Sequence, residues 1–461
     1  MSGKSFYLIF FLIATFSGET FAQQYLTLEE CRKLAIENNK TLRISSEQEK
    51  LAYYQKKEAL MNFFPKISGS GTYLHFSEDL HLIGQSSIPT GIPIPGVGTI
   101  PIDPAIRDAI YDIGRIDMSD FWIAGFSLTQ PIFQGGKIIA YHDLRSYAED
   151  LAKTMKETQM IDVIVEVDEA YWQVVSLTHK QKLAQSYVDL LGKMDSDIEA
   201  MLEEGVATKA DRLSVKVKLN EAEMTLTKAT NGVSLSKMLL CQLCGLEISD
   251  NVNLADENIE ELTLDNEVIP NISDTEGAIT NRSEIRSLDL ATKIYKKQEK
   301  IALAEFLPSA GLSLGYNWLK PNLQDGVQNK FAGSWSVAVQ VKVPLNFISS
   351  SAKFNAAKAQ TRIKQYELAE AKEKIKLQIN QSVYKLTEAN KKLTAASKNV
   401  EKADENLRYA NVGFEEGVIP ASDALAAHTA WISAHAEEID AQIDVKLCRI
   451  YLDKALGRNI K

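Results

Sequence analysis

Two cysteines separated by two residues, Cys241 and Cys244 in the segment CQLC, are the first candidates for chemistry in this sequence. Such a pair serves redox exchange where a strand leads into a helix, and zinc binding where a second pair or a histidine cluster lies nearby. Neither setting occurs: the other cysteines, Cys31 and Cys448, stand apart, and the six histidines are scattered. We therefore expect two partly buried helical side chains, no disulfide framework and no metal site.

The segment QGGK, residues 134–137, contains part of a phosphate-binding loop but lacks the rest of that motif. A turn from a strand into a helix explains it without a ligand. The sequence also offers no nucleophile elbow and no cluster of metal ligands. Its formal charge of -10 argues against a nucleic-acid partner. We expect no catalytic residue and no cofactor.

Two glycine turns carry more information: GVATKAD at residues 205–211 and GVIPASDAL at residues 417–425. Glycine at a helix end supplies the left-handed conformation of a sharp turn, and an Asp shortly afterwards suits the start of the return helix, where its carboxylate caps free amides. Each segment therefore predicts a hairpin of two helices.

Residues 1–22 have the features of a secretory leader: Lys4, an apolar stretch over residues 6–16, and the small pair Thr20 and Ala22. That stretch is shorter than the roughly 20 residues of a membrane-spanning helix, and no later segment approaches this length. Position 23 is Gln rather than Cys, so we expect no lipid anchor. The leader predicts export.

The remaining chain repeats once. AIENNKTLR at residues 35–43 corresponds to AITNRSEIR at 278–286, and ALMNFFP at 59–65 corresponds to ALAEFLP at 302–308, both at an offset of 243. Later matches have offsets of 213 and 212, because one loop is shorter in the second half. The predicted segments are a signal peptide at 1–22, a first repeat at 23–246, a connector at 247–277 and a second repeat at 278–461.

The connector is acidic: residues 247–276 contain ten Asp or Glu and no Lys or Arg. This composition predicts a solvated segment with little structure of its own. Three apolar residues are candidates for docking part of it onto the helices: Ile259, Leu262 and Leu264.

Each repeat contains a pair of segments in which apolar and polar residues alternate, as in strands with two different faces. The four segments lie near residues 66–76, 121–130, 311–318 and 334–343. The loops that join each pair are residues 77–120 and 320–333. Five aromatic residues in these strands suit the interfacial girdles of a membrane barrel: Tyr73, Trp122, Tyr316, Trp318 and Trp335.

Very long helices are predicted after the second strand of each repeat, at residues 137–203 and 352–415, followed by shorter ones at 211–243 and 423–456. In the second long helix, apolar and small residues recur in steps of four and three, which predicts a coiled-coil seam. The seam comprises Ile375, Ile379, Ser382, Leu386, Ala389, Leu393, Ala396, Val400, Ala403, Leu407, Ala410 and Phe414.

Strands of about ten residues are long enough to cross a bilayer, yet four strands cannot close a barrel and an open edge cannot face lipid. Several copies must therefore share one barrel; two, three or four copies would give about 8, 12 or 16 strands. The predicted fold is mostly α with a membrane β part. It combines a long α-helical coiled-coil tunnel with a shared β-barrel, four strands per chain, built from two internal repeats.

The opening LTLEECRKLAIENN, the segment QPIFQGGK and the two glycine hairpins make the chain similar to the TolC-like outer-membrane efflux proteins. The resemblance covers nearly all of the chain after the leader. It implies a homotrimer with a twelve-stranded barrel and a twelve-helix tunnel. It also implies a periplasmic adaptor (membrane fusion) protein and an RND-type or ABC-type inner-membrane transporter as partners. The expected location is the outer membrane of a Gram-negative cell, among its lipids, with a large periplasmic part.

The same resemblance assigns roles to residues. Four of them would form the tips on which the adaptor docks: Gly205, Val206, Gly417 and Val418. Three would lie at the pore constriction: Asp211, Asp423 and Phe414. Ile419 and Ala426 stand where the best-known member of the family has an Arg and a second Asp, so we expect apolar closure in place of its ionic latch. For the two Asp, capping a helix and gating the pore remain alternatives.

A different class of protein is also compatible with these patterns: a secreted or periplasmic coiled-coil scaffold or adhesin whose strands form a small soluble sheet. The sheet distinguishes the two classes. A soluble sheet buries its apolar face beneath a helix, whereas a membrane sheet leaves that face for lipid.

Overall fold

A computed structural model describes residues 25–258, 275–322 and 328–458 of the 461-residue chain. The predicted leader, as well as Ile259, Leu262 and Leu264, lies outside these residues. Most of the described chain is α-helical. The helices are α1 Leu28–Asn38, α2 Lys40–Met61, α3 Pro104–Ile113, α4 Lys137–Glu203, α5 Lys209–Cys244, α6 Thr275–Asn281, α7 Ser283–Ala304, α8 Phe347–Glu415 and α9 Ala421–Ala455. The strands are β1 Tyr25–Leu26, β2 Lys66–Leu74, β3 Leu80–His81, β4 Gly91–Ile94, β5 Gly98–Pro101, β6 Arg115–Ile116, β7 Phe121–Gln134, β8 Asn253–Leu254, β9 Ser309–Lys320 and β10 Ala332–Lys342.

The main elements occur twice in the same order: helices, two long strands, a very long helix and a shorter return helix. α4 has the bounds that the sequence predicts. α8 begins at Phe347, five residues before the predicted start, because no Gly or Pro follows Pro344 to delay the helix. Thr27 and Glu30 form the capping box expected at the start of α1.

The chain divides into two compact units. Of the described residues, 46–155, 283–322 and 328–372 form the sheet unit, and 25–45, 156–258, 275–282 and 373–458 form the hairpin unit.

The sheet unit contains a four-stranded antiparallel sheet in the order β10-β9-β7-β2. One apolar row crosses all four strands, since Ile67 pairs with Leu128, Leu128 with Leu314, and Leu314 with Val337. The neighbouring row, on the opposite face, is polar or small: Ser68, Ser127, Gly315 and Ser336. The alternation seen in the sequence therefore does separate an apolar face from a polar one.

Both long strand connections leave the sheet at the same end, because Trp122 at the start of β7 pairs with Lys320 at the end of β9. The connection between β2 and β7 is folded: it contains α3 and two short strand pairs, β3 with β6 and β4 with β5.

Ion pairs join the helices within the sheet unit. The buried carboxylate of Glu149 on α4 accepts from Lys56 of α2 and from Lys153, each at 2.8 Å. Lys297 of α7 lies 2.6 Å from Asp143 of α4. These contacts bring helices from both halves of the sequence together.

The hairpin unit has a core in which α1, α4 and α5 meet around fully buried residues that include Tyr171 and Leu240. Next to this core, the start of the connector is ordered, with β8 parallel to β1. Leu254 is fully buried, and Glu257 lies 3.0 Å from Lys237 of α5. The expectation of little structure is therefore wrong for residues 253–258. A buried apolar anchor and a buried ion pair offset the acidic composition there.

The coiled-coil seam of α8 is confirmed. Ten of its twelve residues are buried, and Leu393 and Val400 are half-buried. The period of four and three thus identified the side of α8 that packs against other helices in the hairpin unit.

Within the residues that the structure describes, no helix is both long enough and apolar enough to span a membrane.

Candidate functional site

The two predicted hairpin turns have nearly the same backbone geometry. Gly205 and Gly417 adopt left-handed φ values of +78° and +68°. After each glycine, an amide donates back into the helix that has just ended: Val206 to the Met201 carbonyl at 2.9 Å and Val418 to the Gly413 carbonyl at 2.8 Å. This pattern ends α4 and α8 and reverses the chain into α5 and α9.

The two turns border one groove, which we call the tip groove, with a volume of about 520 Å³. Val206 and Val418 line it and are 72% and 77% exposed. Ile198 and Met201 add apolar surface, and the acidic residues at its border are Glu204, Asp211, Glu415 and Glu416. The predicted docking residues thus lie together, around a mixed apolar and acidic surface.

Phe414 lies in the wall of the tip groove but is only 7% exposed. Its ring belongs to a hydrophobic cluster that includes Ile198 of α4, Val215 of α5 and Ala424 of α9. Ile419 packs against the same cluster. In a single chain, Phe414 therefore connects the two hairpins.

The two aspartates differ in their contacts. Thr208 is the N-cap of α5, and Asp211 completes a capping box, accepting from the Thr208 amide at 3.0 Å and hydroxyl at 2.6 Å. These bonds, the hydroxyl first, lower the pKa of Asp211. At α9 the N-cap is Pro420, which has no side-chain acceptor, and no side chain caps the helix. Of the two alternatives, capping therefore holds for Asp211, from the third helical position, and is not seen for Asp423.

Sequence analysis missed an ion-pair group behind the first turn. Arg212 of α5 lies 2.6 Å from Glu199 and 3.4 Å from Asp195, both on α4. Lys193 of α4 lies 3.4 Å from Glu415 of α8 and so bridges the two hairpins at the surface. The spacing of four between Asp195 and Glu199 could have indicated a charged stripe facing Arg212.

All five predicted girdle aromatics lie at the end of the sheet from which the long connections leave. Tyr73 faces Trp122 directly, with ring centroids 4.7 Å apart, and Tyr316 lies at the same distance from Trp318. Trp335 pairs with Tyr316 across β10 and β9 and is 76% exposed. The five residues form one band that crosses all four strands near that end of the sheet.

Among the described residues, no group of three or more His, Cys, Asp or Glu side chains is placed to hold a metal ion. Cys241 and Cys244 are helical residues of α5, as predicted, but both are fully buried rather than partly buried. The glycines of QGGK take left-handed φ values and turn β7 into α4.

Comparison with solved structures identifies the fold. The chain is similar to the outer membrane protein VceC from Vibrio cholerae, with 16% identity, a TM-score of 0.74, and coverage of 94% of this chain and 97% of that one. It is also similar to the Campylobacter jejuni CmeC outer membrane channel, with 14% identity, a TM-score of 0.76, and coverage of 93% and 85%. The Neisseria gonorrhoeae MtrE outer membrane channel matches with 17% identity, a TM-score of 0.70, and coverage of 94% and 89%.

A search among curated proteins gave no match. The model of the outer membrane efflux protein family, in contrast, matches residues 32–246 and 276–458, which is most of the chain. These two segments include the four long strands, both glycine turns and the tip groove. On this evidence the chain belongs to the outer membrane efflux protein family, a family of TolC-like channel proteins.

Proposed function

We propose that this protein is the exit duct of a multicomponent efflux or type I secretion system. It would pass substrates from an inner-membrane pump across the periplasm and the outer membrane of a Gram-negative cell. The observation that carries this proposal is the apolar face of the four-stranded sheet. Ile67 and Val337, in its two edge strands, are 74% and 54% exposed, as expected of a surface made for lipid.

The edges of the sheet support an assembly of several copies. Among the described residues, β2 and β10 each pair with one strand, so the other side of each strand offers unpaired backbone groups. Such groups are too costly to leave in a bilayer, and pairing β2 of one copy with β10 of the next satisfies them. Three copies would close a twelve-stranded barrel, an even number like that of known outer-membrane barrels.

The helical hairpins would form the periplasmic tunnel, with the tip groove as the docking site for a periplasmic adaptor. Val206 and Val418 offer apolar contact, and the glycines beside them leave open space, since an added Cβ at either would meet nothing within 4 Å. Acidic residues around the groove favour a partner with basic residues at its contact. The adaptor would connect the duct to an RND-type or ABC-type transporter.

At the constriction, we propose that Asp423 lines the pore, because it is exposed and caps no helix. Asp211 would both cap α5 and contribute charge at the groove. Phe414 would act indirectly, because its packing between the hairpins sets how closely they approach. Closure would rest on apolar contacts that include Ile419.

The test is the oligomeric state of the full-length protein extracted from outer membranes in detergent. We expect a heat-resistant trimer whose particles have an extension about 100 Å long, the length of a 67-residue helix at 1.5 Å per residue. A secreted or periplasmic scaffold or adhesin would instead be recovered without detergent. If the protein is recovered in solution without detergent, the duct proposal is wrong.

A further inference from the structure

Two cysteines that are 213 positions apart in the sequence meet inside the hairpin unit. Cys31 of α1 and Cys244, the last residue of α5, are both fully buried in the same core. The Cys244 thiol lies 3.6 Å from the carbonyl oxygen of Cys31, to which it donates. The Cys244 side chain therefore contacts Cys31 directly.

The backbone around them holds this approach. The side-chain amide of Asn39, just after α1, donates to the Leu243 carbonyl at 2.8 Å. Gly245 ends α5 with a left-handed φ of +70°, and a Cβ there would lie 2.6 Å from the Cβ of Asn38. The end of α5 is thus fixed against the end of α1.

The other two cysteines have different surroundings. The thiol of Cys241 donates to the Ser249 carbonyl at 3.3 Å, and Cys448 is a half-buried residue of α9. No metal site among the described residues uses any of the four. The contact between Cys31 and Cys244 therefore belongs to no metal site among the described residues, and the proposed function gives it no role in transport.

We propose that Cys31 and Cys244 form a disulfide bond in the exported protein. The inference rests on the export that the proposed function requires, because disulfides persist in oxidising compartments outside the cytoplasm. It goes beyond the expectation from sequence, which assigned the cysteines to packing alone.

The oxidant would be an exported protein thiol oxidase that carries a disulfide of its own. One cysteine, as thiolate, attacks that disulfide and forms a mixed disulfide. The second thiolate then attacks the chain's sulfur and releases the oxidase as a dithiol. The chain loses two electrons and two protons, and the oxidase disulfide takes up the same number.

Folding determines when this reaction can happen. Interaction with the Cys244 thiol, and then burial, raise the pKa of the Cys31 thiol far above its ordinary value, so Cys31 is almost never a reactive thiolate in the folded protein. Neither sulfur is accessible to a protein oxidant after folding. The bond must form during export, before α1 and α5 close around it. Once formed, it ties together the two ends of the segment that contains β2, β7 and the first hairpin.

The test is differential alkylation of the full-length protein taken directly from the outer-membrane fraction. Thiols are trapped in acid, labelled with light N-ethylmaleimide in denaturant, then reduced and labelled with heavy N-ethylmaleimide. We expect the heavy label on Cys31 and Cys244 and the light label on Cys241 and Cys448. Light label on all four, or heavy label on Cys241 together with Cys244, would overturn the proposal.

Variants make the assignment specific. In Cys241→Ser and in Cys448→Ser, Cys31 and Cys244 should still carry the heavy label. In Cys31→Ser, Cys244 should be a free thiol and carry the light label. The wild-type measurement is decisive even if Cys31→Ser folds poorly. A protein absent from the outer-membrane fraction would contradict the proposed function, whereas a trimer there with four light labels would contradict the disulfide alone.

Discussion

Arg32 and Asp168 form a two-point ion pair inside the hairpin unit: Nε lies 2.6 Å from Oδ1, and a terminal guanidinium nitrogen lies 2.7 Å from Oδ2. The Asp168 side chain is fully buried. Burial raises the pKa of Asp168 despite the opposing effect of Arg32, so desolvation is the larger of the two influences on this carboxyl group. The pair joins α1 to α4 beside Cys31.

Removing one partner of this pair should cost much more stability than removing both. Asp168→Leu removes the buried carboxylate that pairs with the Arg32 guanidinium, and we expect a loss of about 3 to 5 kcal/mol. In the double variant Arg32→Met/Asp168→Leu most of this loss should disappear. Urea unfolding of the detergent-extracted protein measures the free energy of unfolding of both variants. Equal losses of stability in the two would contradict the expected dominance of desolvation.

If the apolar face of the sheet contacts lipid, an arginine should be far more costly on that face of β10 than at the next residue, which lies on the polar face. Val339 is 68% exposed on the apolar face, and Gln340 points to the other side. Val339→Arg should cost about 2 to 4 kcal/mol if that face meets the bilayer midplane, whereas the matched control Gln340→Arg should cost little. The readout is the amount of heat-resistant trimer in the outer-membrane fraction. Similar yields from the two variants would show that lipid does not contact this face.

The connection over residues 77–120 should face the cell exterior, because both long connections leave the same end of the sheet and barrels of this type keep long loops outside. An epitope tag near Gly96, where an added Cβ meets nothing within 4 Å, should bind antibody on intact cells. A tag at Val206 is the matched control and should bind only after the outer membrane is broken. The reverse pattern would invert the topology.

Elements with a local periodic signal could be predicted from the sequence. The period of two identified both strand pairs, and steps of four and three identified the α8 seam. The cap of α5 was misplaced by three residues, since Thr208 and Asp211 are both good capping residues and only their geometry shows which one is the N-cap.

Contacts between distant segments could not be predicted in this way. Glu257 lies in an acidic segment, and nothing local indicates that it reaches Lys237. Cys31 likewise lies far from the CQLC pair in sequence, so its contact with Cys244 appears only when α1 packs on α5. The tip groove needed the same information, because its walls come from two hairpins.

Stability of the second hairpin should decrease in acid because of His428. This residue is 2% exposed, its Nε2 lies 2.8 Å from Oδ1 of Asn411, and burial lowers its pKa to about 4. The ordinary pKa is about 6.5, so between these values the unfolded chain binds a proton that the folded chain does not. The contribution of neutral, buried His428 to the free energy of unfolding is therefore fully present above about pH 6.5. It falls as the pH drops towards 4, by about 3 kcal/mol in total.

His428→Gln should flatten this pH dependence, measured by thermal unfolding from pH 7 to pH 4. His435→Gln, on the same helix, is the matched control and should keep it. An unchanged slope in His428→Gln would assign the acid sensitivity to other groups.

Replacing the glycine of the second turn should separate docking from folding. Gly417→Leu forces a bulky residue into a left-handed conformation, at a local cost of about 1 to 3 kcal/mol. The strain lies at a hairpin tip, so the trimer should fold and insert. The new side chain would occupy the open space next to Val418 and obstruct a docking partner. We therefore expect normal trimer abundance with loss of export and of crosslinking to the adaptor.

The matched control for that variant is Gly192→Leu. Gly192 lies within α4, where an added Cβ also meets nothing within 4 Å and no left-handed φ is required. A leucine there adds the same bulk without strain and away from the tip groove, so export and crosslinking should persist. If Gly417→Leu exports and crosslinks as well as Gly192→Leu does, the glycine serves only the turn. The adaptor would then have to dock elsewhere, because a leucine beside Val418 leaves too little room for a close backbone approach.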